Sequence, residues 1–334
     1  MKLRTFTRML ARTNTSIAVL LALACTSVAQ VATPEKLSSS EKPIVRVNVM
    51  VTDAKGRTVA DVKREDLRVY EDGVEQPIAY FSKEEQPVTY GLVVDNSGSL
   101  REQMAYVVAS AKLVVNSNTP EDETFVVRFI SSDNINVTQD FTSDKTSLFK
   151  ALDSMYVQRG QTAVIDAVYL AVNHMVKNGK TADGKPRRRV LVLISDGEDR
   201  ASYYKAEDLF KLLKGSDIQI FCVGLTAALD KERGFISKSK RDRASDFLKR
   251  LASETGGRIF FAEKVGELEE AIGEVLGNLH MQYVVGYDPP ANAGGKTKHK
   301  IEVKVIDAPG RGKLKAIVRP ERTDASAEGK KKKQ

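Results

Sequence analysis

Apolar positions follow two different periods, and the change between them divides the chain. Over residues 44–52 the pattern alternates, with Val45, Val47, Val49 and Val51 on one face and Arg46, Asn48 and Thr52 on the other. Period two predicts a half-buried strand. Asp53-Ala54-Lys55-Gly56 supplies a turn. LRVYEDGVEQPIAYF then holds two strand-like runs around Asp72-Gly73, a strong hairpin signal. From Val88 the pattern becomes apolar strands separated by stretches of helical spacing. VTYGLVVD, TFVVRFI, NVTQDF, RRVLVLIS, IQIFCVGL and RIFFA read as strands. Residues 104–115, 148–156, 163–176, 206–213, 244–254 and 268–279 read as helices. After His280 alternation returns in QYVVGY, HKIEVKVI and KLKAIV, with PPANAGGKTK looping between the first two.

Strands that alternate with helices require crossover connections. These make a mostly parallel sheet with helices on both faces. The expected class is therefore α/β, a doubly wound, mostly parallel sheet flanked by helices. The terminal strands are too few to build a core alone. Because the ends of a compact domain often lie close together, the two flanks are expected to meet in one small β domain with the α/β domain inserted between them. The expected boundaries are 43–87 for the N-terminal β strands, 88–280 for the α/β domain and 281–320 for the C-terminal β strands. The polar, Ser-rich residues 30–42 read as a linker, and 321–334 as a disordered Lys-rich tail.

Composition adds little to this picture except at the ends. Of 334 residues, 42% are hydrophobic and 29% charged, as in ordinary globular proteins. Lys2, Arg4, Arg8 and Arg12 form a basic front, residues 17–24 are apolar, and Ser27-Val28-Ala29 fits a small-x-small cleavage site before Gln30. Residues 1–29 thus read as a secretory signal peptide, too short for a comfortable membrane span, with an uncleaved anchor as the alternative. Lipidation at Cys25 ranks lower, because Ala22 stands where a lipobox has Leu, three positions upstream. The mature chain is expected to be periplasmic or secreted, with no transmembrane span. Cleavage would leave Cys222 alone, inside an apolar strand, where a buried and inert thiol is expected. The net charge of +8 comes from the basic front and from Lys330 to Lys333; without them the rest is near neutral. That argues against a nucleic-acid-binding face.

Three segments carry candidate chemistry. VVDNSGSL places Asp95, Ser97 and Ser99 just past the carboxyl end of the first α/β strand. A plain turn explains this stretch about as well as a metal site does. Gly160-Gln161-Thr162 leads into a helix, and ISDGED presents Asp196 beside Gly197 at the end of RRVLVLIS. In a doubly wound sheet these strand exits share one edge, where ligands bind. All five side chains are hard oxygen donors, suited to Mg2+, Ca2+ or Mn2+ and not to Zn2+. Mg2+ is the first expectation. Hydroxyl ligands would leave the cation electrophilic, with a position for an acidic group from a partner.

Together these segments resemble the metal-ion-dependent adhesion site of the von Willebrand factor A-type domain. Asp95, Ser97 and Ser99 match its Asp-x-Ser-x-Ser, Thr162 its distant Thr and Asp196 its distant Asp. The resemblance spans residues 88–280. The flanks look like those of a bacterial family of exported proteins related to this domain. It implies that the two Ser and the Thr coordinate a divalent cation directly, and that the Asp residues do so directly or through water. It also implies a binding or adhesion-type module whose protein ligand offers an exposed Asp or Glu.

Asp166, four residues after Thr162, reads either as a support for this site or as a helix-surface carboxylate. Residues 229–246 hold Lys231, Arg233, Lys238, Lys240, Arg241 and Arg243, and are expected to steer an acidic partner or else to be a solvated loop. Glu198 and Asp199 read as solvated loop charges. The three His residues show no ligand spacing. No catalytic residue is assigned, since the chain lacks a G-x-S-x-G elbow, a P-loop and an H-E-x-x-H pair. The expectation is a protein that is not an enzyme. The alternatives are a scaffold that binds through its β domain and, behind it, a metal-dependent hydrolase.

Overall fold

The computed structural model describes residues 44–83, 87–179, 187–229, 238–280, 282–290, 298–307 and 311–323. The expected signal peptide, the whole of the expected linker, and the end of the chain from residue 324 lie outside them. Four strands come first: β1 (Val45–Thr52), β2 (Leu67–Glu71), β3 (Val74–Gln76) and β4 (Tyr80–Ser82). The α/β part follows as β5 (Val88–Asp95), α1 (Met104–Ser117), β6 (Glu123–Phe129), β7 (Ile135–Thr142), α2 (Lys145–Asp153), α3 (Val164–Asn178) and β8 (Arg188–Ser195). It continues through α4 (Ala206–Lys214), β9 (Gln219–Gly224), α5 (Lys240–Thr255), β10 (Ile259–Phe261) and α6 (Val265–His280). The chain ends in β11 (Gln282–Tyr287), β12 (Lys298–Val305), β13 (Lys315–Ile317) and β14 (Glu321–Thr323).

The central sheet has the order β10-β9-β8-β5-β6-β7. All its neighbours are parallel except β6 and β7. β5 and β8 are almost entirely buried, as expected of strands covered on both faces. On one face Leu92, Val94, Val192 and Phe221 pack with α1, α2 and α6. On the other, Val93, Leu191, Leu193 and Cys222 pack with α3, α4 and α5. The α/β, doubly wound class is therefore the observed one.

The flanks meet as expected. β1 lies antiparallel between β11 and β13, and β2 lies antiparallel between β12 and β3. Two four-stranded sheets result, β13-β1-β11-β4 and β14-β12-β2-β3. Val47, Val49, Val51, Leu67, Val69, Tyr283 and Val285 share their core. Burial pushes the Tyr287 hydroxyl pKa far up, and its bond to Glu71 adds to this; that hydroxyl donates to Glu71 Oε2 at 2.6 Å.

The observed elements depart from expectation where a cap or a proline intervenes. α2 starts at Lys145, because Asp144 accepts from the amides of Thr146 and Ser147. It ends at Asp153, so Tyr156 falls outside it. α5 begins four residues early, capped by Ser239, whose hydroxyl accepts from Asp242 N at 3.0 Å. The second run of LRVYEDGVEQPIAYF breaks at Pro77, which has no amide to donate. Its two pieces, β3 and β4, join different sheets. β14 was not expected. β1 is also buried on both faces toward its end, because Met50 reaches the core between the central sheet and α1. No helix among the described residues is long and apolar enough to cross a membrane.

Met50 ties the flanking strands to the α/β core. Met50→Ala should cost about 2–5 kcal/mol of stability, read from urea unfolding.

Candidate metal centre

Asp95 is the last residue of β5, and Ser195 the last of β8. The two strands are parallel neighbours in the register Val94↔Ile194, so their ends leave the sheet side by side. Asp95 Oδ1 accepts the amide of Ser97 at 2.9 Å, which bends the chain back over the strand end. Asp95 Oδ2 accepts Ser195 Oγ at 2.7 Å. Ser97 begins a short 3₁₀ turn over Gly98–Gln103, anchored by buried Leu100. That turn brings the Ser97 and Ser99 hydroxyls to 2.9 Å. Ser99 Oγ then donates to Asp196 Oδ2 at 2.7 Å.

The Asp196 side is shaped by Gly197. Its φ of 74° lies in the left-handed region, and a Cβ there would sit 2.7 Å from Leu248. Only glycine satisfies both conditions without strain. The turn lets Glu198 N donate to Asp196 Oδ1 at 2.9 Å and Gly197 N to Ser195 Oγ at 2.9 Å.

The structure thus brings Asp95, Ser97, Ser99 and Asp196 into one hydrogen-bonded set. Thr162 is buried and joined to the same edge through its backbone, its carbonyl accepting Arg200 N at 2.8 Å and Ala201 N at 3.3 Å. Its hydroxyl bonds to none of the other four. Sequence reasoning missed Ser195, although it directly precedes Asp196; its hydroxyl ties the two carboxylate loops together. It also missed Asn96. The amide of Asn96 donates to Phe129 O at 2.9 Å, and its carbonyl accepts Gln158 N at 3.2 Å, holding the turn against the segment that leads to Thr162.

Asp95 is 0% exposed and Asp196 1%. Among the described residues no Lys, Arg or His contacts either one. Burial, then the charge of Asp196, pushes the Asp95 carboxyl up to about 7. Asp196 is also raised, by burial first, against the opposing bonds from Ser99 and Glu198 N. Two buried carboxylates without a contacting cation are costly, and they stand beside two hydroxyls. This donor set fits a hard divalent cation.

Glu198 differs from its expected reading as a solvated charge, being largely buried. Burial works to raise its pKa, but Arg200 at 2.5 Å and Lys240 at 3.5 Å hold it below the usual range. The basic residues just before and at the start of α5 are also largely matched. Lys238 pairs with Asp246 at 2.5 Å and Arg241 with Glu263 at 2.6 Å, while Arg243 donates to Lys238 O at 2.7 Å. Lys231 and Arg233 lie outside the described residues. Cys222 is buried, and burial pushes its thiol pKa far up.

Another acidic cluster sits in the β sheets, where Glu71, Asp72 and His299 bring ligand-type atoms within 4.8 Å of one another. Arg322 already supplies a positive charge to Glu71, and Tyr287 donates to it. This cluster is an internal ion-pair network within the β14-β12-β2-β3 sheet, and Tyr287 reaches it from the other sheet.

A family model of the von Willebrand factor type A domain matches residues 91–274. The chain belongs to that family. Among solved structures similar to this A-domain chain is a von Willebrand factor type A protein from Catenulispora acidiphila. It is 13% identical, with 86% of this chain and 74% of that one covered, at a TM-score of 0.46. An aerotolerance-related membrane protein from Bacteroides fragilis is 19% identical over 57% of this chain and 98% of its own, at 0.42. Proximal thread matrix protein 1 from the mussel byssus, with a zinc-occupied MIDAS motif, is 17% identical over 57% and 48%, at 0.43. No curated protein matches the chain.

The raised Asp95 pKa gives the metal-free A domain a pH signature. Below about pH 4 the folded and unfolded chains both hold this proton, and this group's contribution to stability is greatest. Between there and about pH 7 the unfolded chain releases it first, so that contribution falls as pH rises. In chelator, wild type should lose stability across that window relative to Asp95→Asn, measured by urea unfolding at several pH values.

Proposed function

We propose that this A-domain chain is an exported binding module that engages a protein partner through a divalent cation. Asp95, Ser97, Ser99, Thr162 and Asp196 would hold the cation, Mg2+ first, and the partner would supply an Asp or Glu carboxylate. The observation that carries this reading is the pair of buried carboxylates, touched by no basic side chain among the described residues, linked by the Ser97 amide on Asp95 and the Ser97–Ser99 hydroxyl chain to Asp196. A cation bound there supplies the positive charge the pair lacks and an electrophilic position for an outside carboxylate. Ser97 and Ser99 orient the carboxylates through their hydroxyl chain, and Ser195 fixes the second oxygen of Asp95.

The surroundings favour a protein ligand. Tyr106, Tyr156, Tyr203 and Tyr204 are the exposed tyrosines among the described residues. Each lies in a segment bordering the site. Tyr106 is in the first turn of α1, after Ser99. The carbonyl of Tyr156 accepts Asn96 Nδ2 at 3.2 Å. Tyr203 and Tyr204 follow Asp196 and stand edge to face, 5.2 Å apart. Tyrosine offers a large apolar face with a polar tip, and it is enriched in protein interfaces. An open groove of about 630 Å3 lies between Tyr203, Gly160-Gln161 and Ser131–Asp133.

A hydrolase is the weaker reading. It needs a base or nucleophile placed against the metal. Ser97 and Ser99 bond to each other and to Asp196, with no His or Lys beside them. His174 and His299 are engaged elsewhere, with Asp140 and with Glu71 and Asp72. The basic front, apolar stretch and small-x-small site of residues 1–29 support export.

Thermal unfolding tests the cation. Mg2+, Ca2+ or Mn2+ at a hundred times its dissociation constant should stabilise wild type by about 2.7 kcal/mol over chelator. Asp95→Ala should show no such gain. Equal midpoints for wild type in all cations and in chelator would defeat the reading and favour a scaffold whose contacts lie in the β strands.

A further inference from the structure

Asp166 is buried in the first turn of α3, and no Lys or Arg among the described residues pairs with it. Three donors from two other loops converge on its carboxylate. Oδ2 accepts Ser132 Oγ at 2.5 Å and Tyr203 N at 2.7 Å, and Oδ1 accepts Tyr204 N at 2.9 Å. Its own amide donates to Ser202 Oγ at 3.1 Å. Ser202 Oγ in turn donates to Asp199 Oδ1 at 2.5 Å, which also accepts Ile165 N at 3.2 Å. With the two amides on the Thr162 carbonyl, these bonds stitch residues 199–204 to residues 162–166.

The stitch runs between the two halves of the candidate metal centre. Residues 199–204 follow closely on Asp196, and Asp166, in the first turn of α3, is four residues beyond Thr162. The Thr162 hydroxyl has no bond to Asp95, Ser97, Ser99 or Asp196. Its distance from Asp196 is therefore set by the backbone on either side, and Asp166 is the residue on which that backbone contact converges. A carboxylate suits the task, since its two oxygens accept several bonds at once where an amide of the same size accepts fewer.

We propose that Asp166 is a positioning residue for the cation site, holding Thr162 at the separation from Asp196 that the cation requires. The proposal rests on the cation reading of that site. Asp166 touches no ligand; it acts through Thr162 and through the loop after Asp196. The same bonds fix the backbone of Tyr203, whose ring is 83% exposed, so the groove wall and the cation site share one support.

Calorimetric titration of the full chain with Mg2+ and with Mn2+ tests this. Asp166→Asn should weaken binding about tenfold or more, as loss of a residue that orients metal ligands does. Ser132→Ala, a milder change, should weaken it less. In a Thr162→Ala background, where no hydroxyl is left to position, Asp166→Asn should add about twofold at most. A merely structural role would lower the unfolding midpoint in chelator and leave this coupling at zero, so midpoints in chelator are measured on every variant. If Asp166→Asn unfolds the protein, Ser132→Ala in both backgrounds carries the test alone. Affinity unchanged in Asp166→Asn and Ser132→Ala, beside a clear loss in Thr162→Ala, overturns the positioning role and leaves the cation reading standing. No binding by wild type removes the cation reading, and the proposal with it.

Discussion

The parallel pairing of β5 with β8 is the contact on which the site depends. It aligns Val94 with Ile194, so Asp95 and Ser195 leave the sheet as neighbours and Asp196 follows one residue later. Everything around them serves to keep two carboxylates out of water at that edge. Leu100 anchors the turn that returns the serines, and Gly197 bends the other loop beneath Leu248. The buried strands make the edge rigid, and rigidity keeps both acids in place despite their mutual repulsion.

Much of this was legible in the chain. VTYGLVVD and RRVLVLIS are runs of buried strand length ending in polar residues, and the observed β5 and β8 coincide with them. Asp95, Ser97, Ser99 and Asp196 could be placed on one edge because parallel strands all end on the same side. The remainder depended on facts no local pattern carries. Asp144 moves α2 toward the N-terminus, and Pro77 splits a strand between two sheets. Ser195 matters through a partner a hundred residues away. The burial of Asp166 and Glu198 follows from loops folding over them, which spacing along a helix or turn does not reveal.

Charge around the site is more local than the count of basic residues suggests. Lys238, Lys240 and Arg241 each face a carboxylate, and Lys240 shares Glu198 with Arg200. Their fields largely cancel beyond a Debye length. What remains at the edge is the buried acidic pair itself, with the paired charges of Glu198, Arg200 and Lys240 and the exposed tyrosines beside it. Such a rim places the demand for charge at the centre of the surface.

β4 and β11 lead into and out of the α/β part, and they pair with each other, Ser82 facing Val284 and Tyr80 facing Gly286. The α/β part is therefore an excursion closed at its neck by antiparallel hydrogen bonds. The flanking strands β1, β2, β12 and β13 lie on the near side of that neck. Tension that pulled the start of β4 away from the end of β11 would open these bonds one at a time, because Tyr80 and Gly286 stand opposite each other at the same end of the pair. The edge that holds Asp95 and Asp196 lies at the far, carboxyl ends of β5 and β8, so while the neck holds, the site stays outside the loaded strands.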